Sequence, residues 1–229
     1  MDLKERVTAS LRKHASSPEF SRSPELSRLT AGILKASVLV PLLIQDGELR
    51  VLLTVRSLNL RQHAGEVCFP GGKEDASDRD EVQTALREAE EEIGLKEQQV
   101  EVVCQLFPII NKEGLLITPV VGFLDASFCP HLNPQEVCEV FSVPLEFFTR
   151  EEHHSLLLVP GALGPIHSFI YRGSLSDARG WQIWGLTAAI AITVASLGLE
   201  RELEFDPGFE TTAPAPRLRE ALLKRLSRL

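Results

Sequence analysis

The sequence predicts an α/β fold, a sheet with helices against it, built as one domain with short decorations at either end. Three observations predict it. Short, β-branched runs begin at Ser37. The first two, Ser37–Ile44 and Leu49–Val55, flank the turn residues Gln45-Asp46-Gly47 and read as a hairpin. A helical period covers Asp80–Glu92 and stops at Gly94, a residue suited to a left-handed C-cap. Finally, Trp181–Leu199 is a long apolar segment whose last 17 residues, Ile183–Leu199, carry no charge. A membrane span wants about 20 such residues. This one is interrupted by Gly185, Thr187, Thr193, Ser196 and Gly198, so a helix buried in an α/β core is the better reading.

The remaining elements follow in order. Residues 1–35 are polar and Ser-rich and predict a solvated helical arm followed by a linker. Residues 36–200 carry the apolar patterning of the domain, and 201–229 form a tail. Gly65–Gly72 reads as a strand passing into a loop at Phe69-Pro70-Gly71-Gly72. Val100–Leu106, Leu115–Leu124, Val137–Val143 and Ser168–Tyr171 read as strands, Phe147–His153 as a short helix or turn, and Pro216–Leu226 as an amphipathic tail helix. No internal repeat and no second domain is visible.

Composition narrows the function. With 24 basic and 32 acidic residues the chain carries a net charge of −8, which disfavours a non-specific nucleic-acid binder. The length is ample for a core that needs no disulfide or metal staple. Cys68, Cys104, Cys129 and Cys138 have no zinc or redox spacing and read as thiols in a reducing compartment. The first 15 residues lack a secretory apolar core. Lys4, Arg6, Arg12 and Lys13 hint at a mitochondrial presequence, but Asp2 and Glu5 argue against one.

The stretch Arg87-Glu88-Ala89-Glu90-Glu91-Glu92-Ile93-Gly94-Leu95 carries the chemistry. At about 100° per residue, Glu92 lies about 40° to one side of Glu88 and Glu91 about 60° to the other. Val82, Ala85, Leu86, Ala89 and Ile93 form a neighbouring apolar stripe. The plain alternative is a solvated acidic face. Against it, like charges at i+3 and i+4 repel, and glutamates at a helix C-terminus oppose the dipole. A hard divalent cation, Mg²⁺ or Mn²⁺, compensates both, and such an ion points to phosphate chemistry.

Gly72–Leu95 resembles the Nudix box, whose pattern is Gly, five residues, Glu, seven residues, then Arg-Glu-apolar-any-Glu-Glu-any-Gly-apolar. Arg87–Leu95 matches each fixed position of the second half. The first half departs: Gly72 plus five residues reaches Asp78, and eight residues follow before Arg87, so the loop is one residue longer and no role is carried over to Asp78. Upstream, Leu52–Ser57, Arg61, Gly65 and Phe69–Gly72 resemble the extended pattern of the coenzyme A diphosphatase branch of that family. Further similarity at Thr118–Gly122, Asn133–Val137, Val143–Leu145 and Trp184–Ala188 carries the resemblance across Ser37–Leu199.

The resemblance implies a Nudix fold, an α/β/α sandwich around a mixed sheet. It also implies hydrolysis of the pyrophosphate of CoA or acyl-CoA to 3′,5′-ADP and (acyl-)4′-phosphopantetheine. Glu88, Glu91 and Glu92 would hold the ions, one of them also taking a proton from water. Arg87 would orient the glutamates, and Gly71 and Gly72 would let the backbone approach the metal, unless they simply make a turn. Arg56 and Arg61 are candidates for the substrate's phosphates, with solvated surface arginines as the alternative. His63 reads as a loop residue. Glu136 and Glu139 are candidates for an extra acid outside the box, and His153, His154 and His167 receive no role. Other Nudix substrates (ADP-ribose, NADH, a capped nucleotide) and a catalytically silent nucleotide-binding module stay open. The final Ser227-Arg228-Leu229 resembles a peroxisomal address, which implies an import receptor as partner and the peroxisome as location, with a packed helix end as the alternative.

Overall fold

The structure, a computed structural model, describes residues 1–16, 24–111, 113–158, 166–173, 180–209 and 211. The tail helix expected at Pro216–Leu226 and the tripeptide Ser227-Arg228-Leu229 lie outside the described residues.

The hairpin forms as expected. β1 (Lys35–Gln45) and β2 (Glu48–Arg56) pair antiparallel from Leu42↔Val51 to Gln45↔Glu48. Below Leu42 the two strands part, and the segment after β2 fills the fork between them. There β3 (Val67–Cys68) pairs with Thr54 and Val55 of β2, while β4 (Gly71–Lys73) pairs with Ala36–Val38 of β1. On the other edge of β1, β7 (Leu116–Leu124) runs parallel from Lys35↔Leu116 to Leu42↔Phe123. Antiparallel β5 (Val100–Gln105) and the short β6 (Ile109–Ile110) line the far side of β7, and β8 (Val137–Pro144) lines the far side of β2. The sheet is therefore mixed.

Neighbouring residues of the central strands serve opposite faces, the period of two that an extended chain imposes. Leu39, Leu52 and Val120 face one helix, α3 (Glu81–Ile93), and meet its Ala85, Leu86, Ala89 and Ile93. Val40, Leu53 and Val121 face the other side, where α4 (Gly185–Leu199) and α1 (Leu3–Lys13) lie. A short α2 (Pro24–Leu29) precedes β1. The result is the three-layered sandwich that the resemblance implied.

Three expectations are corrected. The first helix is no solvated arm: Val7 and Leu11 are buried, and the Ser10 hydroxyl donates to the Leu197 carbonyl at 2.7 Å. Leu3, Val7 and Leu11 recur every fourth residue, an apolar stripe that α4 covers. The apolar segment at the C-terminal end is not one helix. Its first residues form β11 (Trp181–Trp184), and Gly185, at φ 66°, turns the chain into α4. The strand expected near Ser168–Tyr171 has two partners, neither of them expected: β9 (His154–Leu157), β10 (Ile166–Tyr171) and β11 make a separate three-stranded sheet. No helix among the described residues is long and apolar enough to cross a membrane.

Candidate active site

The acid-bearing helix begins at an Asp80 N-cap, whose side chain accepts from the Gln83 N–H, and ends at Gly94 with φ 72°. Its apolar stripe lies on the sheet, which turns the neighbouring acidic edge toward β4 in the fork of the sheet. There the two glycines work differently. A Cβ at Gly71, where φ is 153°, would lie 2.4 Å from the Ser37 carbonyl oxygen and 2.6 Å from the Val38 Cα, so only glycine lets β4 lie against β1. A Cβ at Gly72 would meet the Glu88 carboxyl group at 2.4 Å, so the space of that missing side chain is where Glu88 rests.

Glu92 is 3% exposed, and its Oε2 accepts the Gly71 N–H at 3.2 Å. Burial pushes its pKa up to about 8. The Gly71 bond and the Arg56 charge oppose that rise, and the charges of Glu88 and Glu136 add to it. Glu88, half-buried, is also raised, first by burial and then by Glu91 and Glu136, against the pull of Arg87. Glu91 is exposed.

Arg87 ties this edge to the loop before the helix. Its Nε and Nη2 donate to the two carboxylate oxygens of Asp78, both at 2.9 Å, and Nη2 also reaches the Lys73 carbonyl at 2.9 Å. Its Nη1 donates to Glu88 at 2.9 Å and to Glu91 at 3.2 Å. Asp78 further accepts the Thr84 hydroxyl and the Asp75 N–H, each at 2.9 Å. Held mainly by Arg87, its carboxyl stays ionised down to about 2, and the same pair raises the pKa of Arg87. Sequence reasoning left Asp78 without a role, because the loop is one residue longer than the pattern. That extra length still delivers an acid to the arginine.

Arg56 ends β2 one residue after the inward-packed Val55, so it projects on the opposite face, that of α3. Its charge acts on Glu92 there, and its Nε is buried without a hydrogen-bond partner among the described residues. A buried guanidinium donor left over beside acids suits an anionic ligand. Arg61 sits exposed in the 57–65 loop, and among the described residues no hydrogen bond or ion pair joins it to the acids. His63, in the same loop, pairs with Glu66 at 3.0 Å.

The two extra acids separate. Glu136 is close enough for its charge to act on both Glu88 and Glu92. Glu139 pairs across the ladder with Val55, whose side chain belongs to the face of α1 and α4, so it points away from the box. Glu136 lies in the turn before β8, outside the ladder, and between the two acids Val137 pairs with Arg56 across a bulge that brings it onto the face of α3. The sequence pattern does not record that bulge.

Among the described residues no three of His, Cys, Asp or Glu are closed into a ready cation cage. The donor chemistry nevertheless fits a hard cation. Glu88, Glu91 and Glu92 offer only oxygen, and burial disfavours the ionised forms of Glu88 and Glu92, which a cation bound beside them would restore.

The NUDIX domain profile matches residues 34–161. Over 195 residues the chain is 42% identical to the peroxisomal coenzyme A diphosphatase NUDT7 of Mus musculus, covering 84% of this chain and 82% of that protein. It is 45% identical over 176 residues to Nudix hydrolase 15, mitochondrial, of Arabidopsis thaliana, covering 75% of this chain and 61% of the plant protein. It is also 40% identical over 169 residues to the uncharacterized Nudix hydrolase NudL of Photorhabdus laumondii, covering 73% of this chain and 86% of the bacterial one. With the box helix, its arginine and its glycine-lined fork inside the matched region, the chain belongs to the Nudix hydrolase family.

Proposed function

We propose that the protein hydrolyses the pyrophosphate of coenzyme A and acyl-CoA. Water adds across one P–O–P linkage, releasing 3′,5′-ADP and 4′-phosphopantetheine or its acyl form. The observation that carries this choice of substrate is the 42% identity, over most of both chains, to a mouse protein named for that reaction. The Arg56-to-Gly72 pattern supports it from within the sequence.

Phosphoanhydride hydrolysis asks a protein mainly for positioning and for charge. Glu88, Glu91 and Glu92 are the residues to hold Mg²⁺ or Mn²⁺, which Nudix hydrolases generally use. A cation bound there neutralises charge on the phosphates and lowers the pKa of the attacking water. Arg87 keeps Glu88 and Glu91 aimed together through one nitrogen, with Asp78 as its anchor. The spare Nε of Arg56 supplies a donor for a phosphate oxygen. Gly71 and Gly72 keep the floor of the site free of side chains. The charged end of the substrate would lie beside β4, against the acidic edge of the box helix, and Arg61 is the candidate for the 3′-phosphate.

The experiment is product analysis with free CoA, dephospho-CoA, acyl-CoA, ADP-ribose, NADH and a capped nucleotide, each with Mg²⁺ or Mn²⁺. Release of 3′,5′-ADP from CoA is expected, with Glu91→Gln and Glu92→Gln reducing turnover about 10³-fold. Faster cleavage of ADP-ribose or NADH than of CoA would overturn the substrate. More than about a tenth of wild-type activity in both variants would overturn the site. A peroxisomal location belongs to the same proposal. It is supported by the name of the mouse relative and by the resemblance of Ser227-Arg228-Leu229 to an address read by an import receptor. Relatives with mitochondrial and chloroplastic names supply the competing outcomes when a fluorescent fusion is imaged in cells.

A further inference from the structure

We propose that Asn133 is a positioning residue of this site, holding Glu136 as a fourth carboxylate facing the box helix. The inference deepens the reading of the site given above and rests on it.

The turn 131–136 staples the two walls of the site together. On one side the His131 and Asn133 N–H groups donate to the Ile93 and Glu92 carbonyls, both at 2.9 Å, satisfying orphan acceptors at the end of α3. On the other side the Ser57 N–H donates to the Glu136 carbonyl at 2.8 Å, and the Ser57 hydroxyl to the Pro134 carbonyl at 3.1 Å. Ser57 follows Arg56 directly. One short turn thus bonds the backbone of Glu92 and the end of the strand that carries Arg56.

Asn133 is the centre of that turn. Its carbonyl accepts the N–H groups of Glu136 and Val137 at 3.0 and 2.9 Å. Its side chain is used at both ends, and the orientation of the amide follows from the partners. Oδ1 accepts the Gln135 N–H at 3.2 Å, which leaves Nδ2 to donate to Glu136 Oε1 at 3.1 Å. A carboxylate can accept from that NH₂ group, whereas a second acid at position 133 would repel it. The same residue that grips the Glu92 carbonyl therefore fixes the direction of the Glu136 carboxylate. The charge of Glu136 acts on Glu88 and Glu92 across the site. An acid held by a loop, apart from the helix, adds negative charge where the box already crowds it. Such an arrangement costs stability, and it is intelligible where a cation and a reacting water must be held from two sides.

The test pairs Asn133→Asp with Glu136→Gln in the full-length protein. Asn133→Asp keeps the Oδ1 that closes the turn, removes the donor to Glu136 and sets a like charge against that carboxylate. We expect kcat to fall about 10- to 100-fold in each single variant, with KM changed less than about 3-fold and Tm nearly unchanged. The double variant is expected to be no worse than Glu136→Gln alone, since a residue acting through Glu136 has nothing left to position. Independent, multiplying losses would assign Asn133 a purely structural role and overturn the proposal. Should Asn133→Asp unfold, Glu136→Gln decides by itself, and more than half of the wild-type kcat would overturn it. If the wild type leaves CoA intact and cleaves another nucleoside diphosphate derivative, the substrate reading fails, and the same cycle run on that compound still tests Asn133.

Discussion

At the residue scale, Glu92 is the most buried of the three box glutamates. It is held by a backbone N–H and lies deepest under the helix, and its pKa of about 8 exceeds the ordinary 4.5. A carboxyl whose pKa is raised on folding binds its proton more tightly in the native state. Its contribution to stability is full below about pH 4.5 and is lost progressively as the pH rises to about 8. Without divalent cations, Glu92→Gln should therefore raise stability by a few kcal/mol at about pH 8.5 and change it little at about pH 4.5. Chelator-treated melting curves at both pH values check this. A variant equally stabilised at both would show that charge at Glu92 is not the cause. The shared edge was legible in the sequence, because the helical angles place Glu88, Glu91 and Glu92 together. The partner of Arg87 was not. Asp78 lies nine residues earlier in a loop, where no periodicity relates it to the helix.

At the element scale, the site depends on β1 and β2 parting so that Val67–Lys73 can enter between them. The two glycines of β4 give separable predictions. Gly71→Ala drives a methyl into the β1 backbone at a position with φ 153°, and should destabilise the protein by several kcal/mol or prevent folding. Gly72→Ala meets only the end of the flexible Glu88 side chain. It should leave Tm within a few degrees while turnover falls at least about 10-fold, because Glu88 must leave its place. Thermal melts and single-turnover rates separate the two variants, and equal losses of stability would contradict the fork geometry. The box helix, its caps and the hairpin were readable because each rests on local pattern. The fork was not, since β3 and β4 are too short to carry a period.

On the scale of the whole molecule, the sheet divides the protein into a face that carries the candidate site and a supporting face. The box helix covers one, and α4 with α1 covers the other. This explains why α4 is apolar around its circumference: the sheet, the small second sheet and α1 surround it. It also gives α1 a structural task. Leu11 is fully buried in that layer, so Leu11→Ala should cost about 3 kcal/mol of stability. Because that layer lies across the sheet from the acids, kcat in the folded state should hold. Urea unfolding alongside steady-state kinetics tests this, and an unchanged midpoint would mean that the helix is not docked in solution.

The sequence by itself determined the fold class, the acidic edge of the box helix and the arginine beside it. These depend on the 3.6-residue and two-residue periods and on a contiguous motif, all of which are local. Only the tertiary structure decided which groups outside the motif join it. Ladder pairing with Val55 sends Glu139 to the supporting face, the bulge beside it brings Val137 onto the face of the box helix, and Glu136 lies in the turn before β8, tied to Asn133. The 131–136 turn joins Glu92 to the strand of Arg56 through bonds spanning some 40 to 80 residues of chain. A shift of one residue in a strand reverses the face of each side chain, and no local pattern records where that shift occurs.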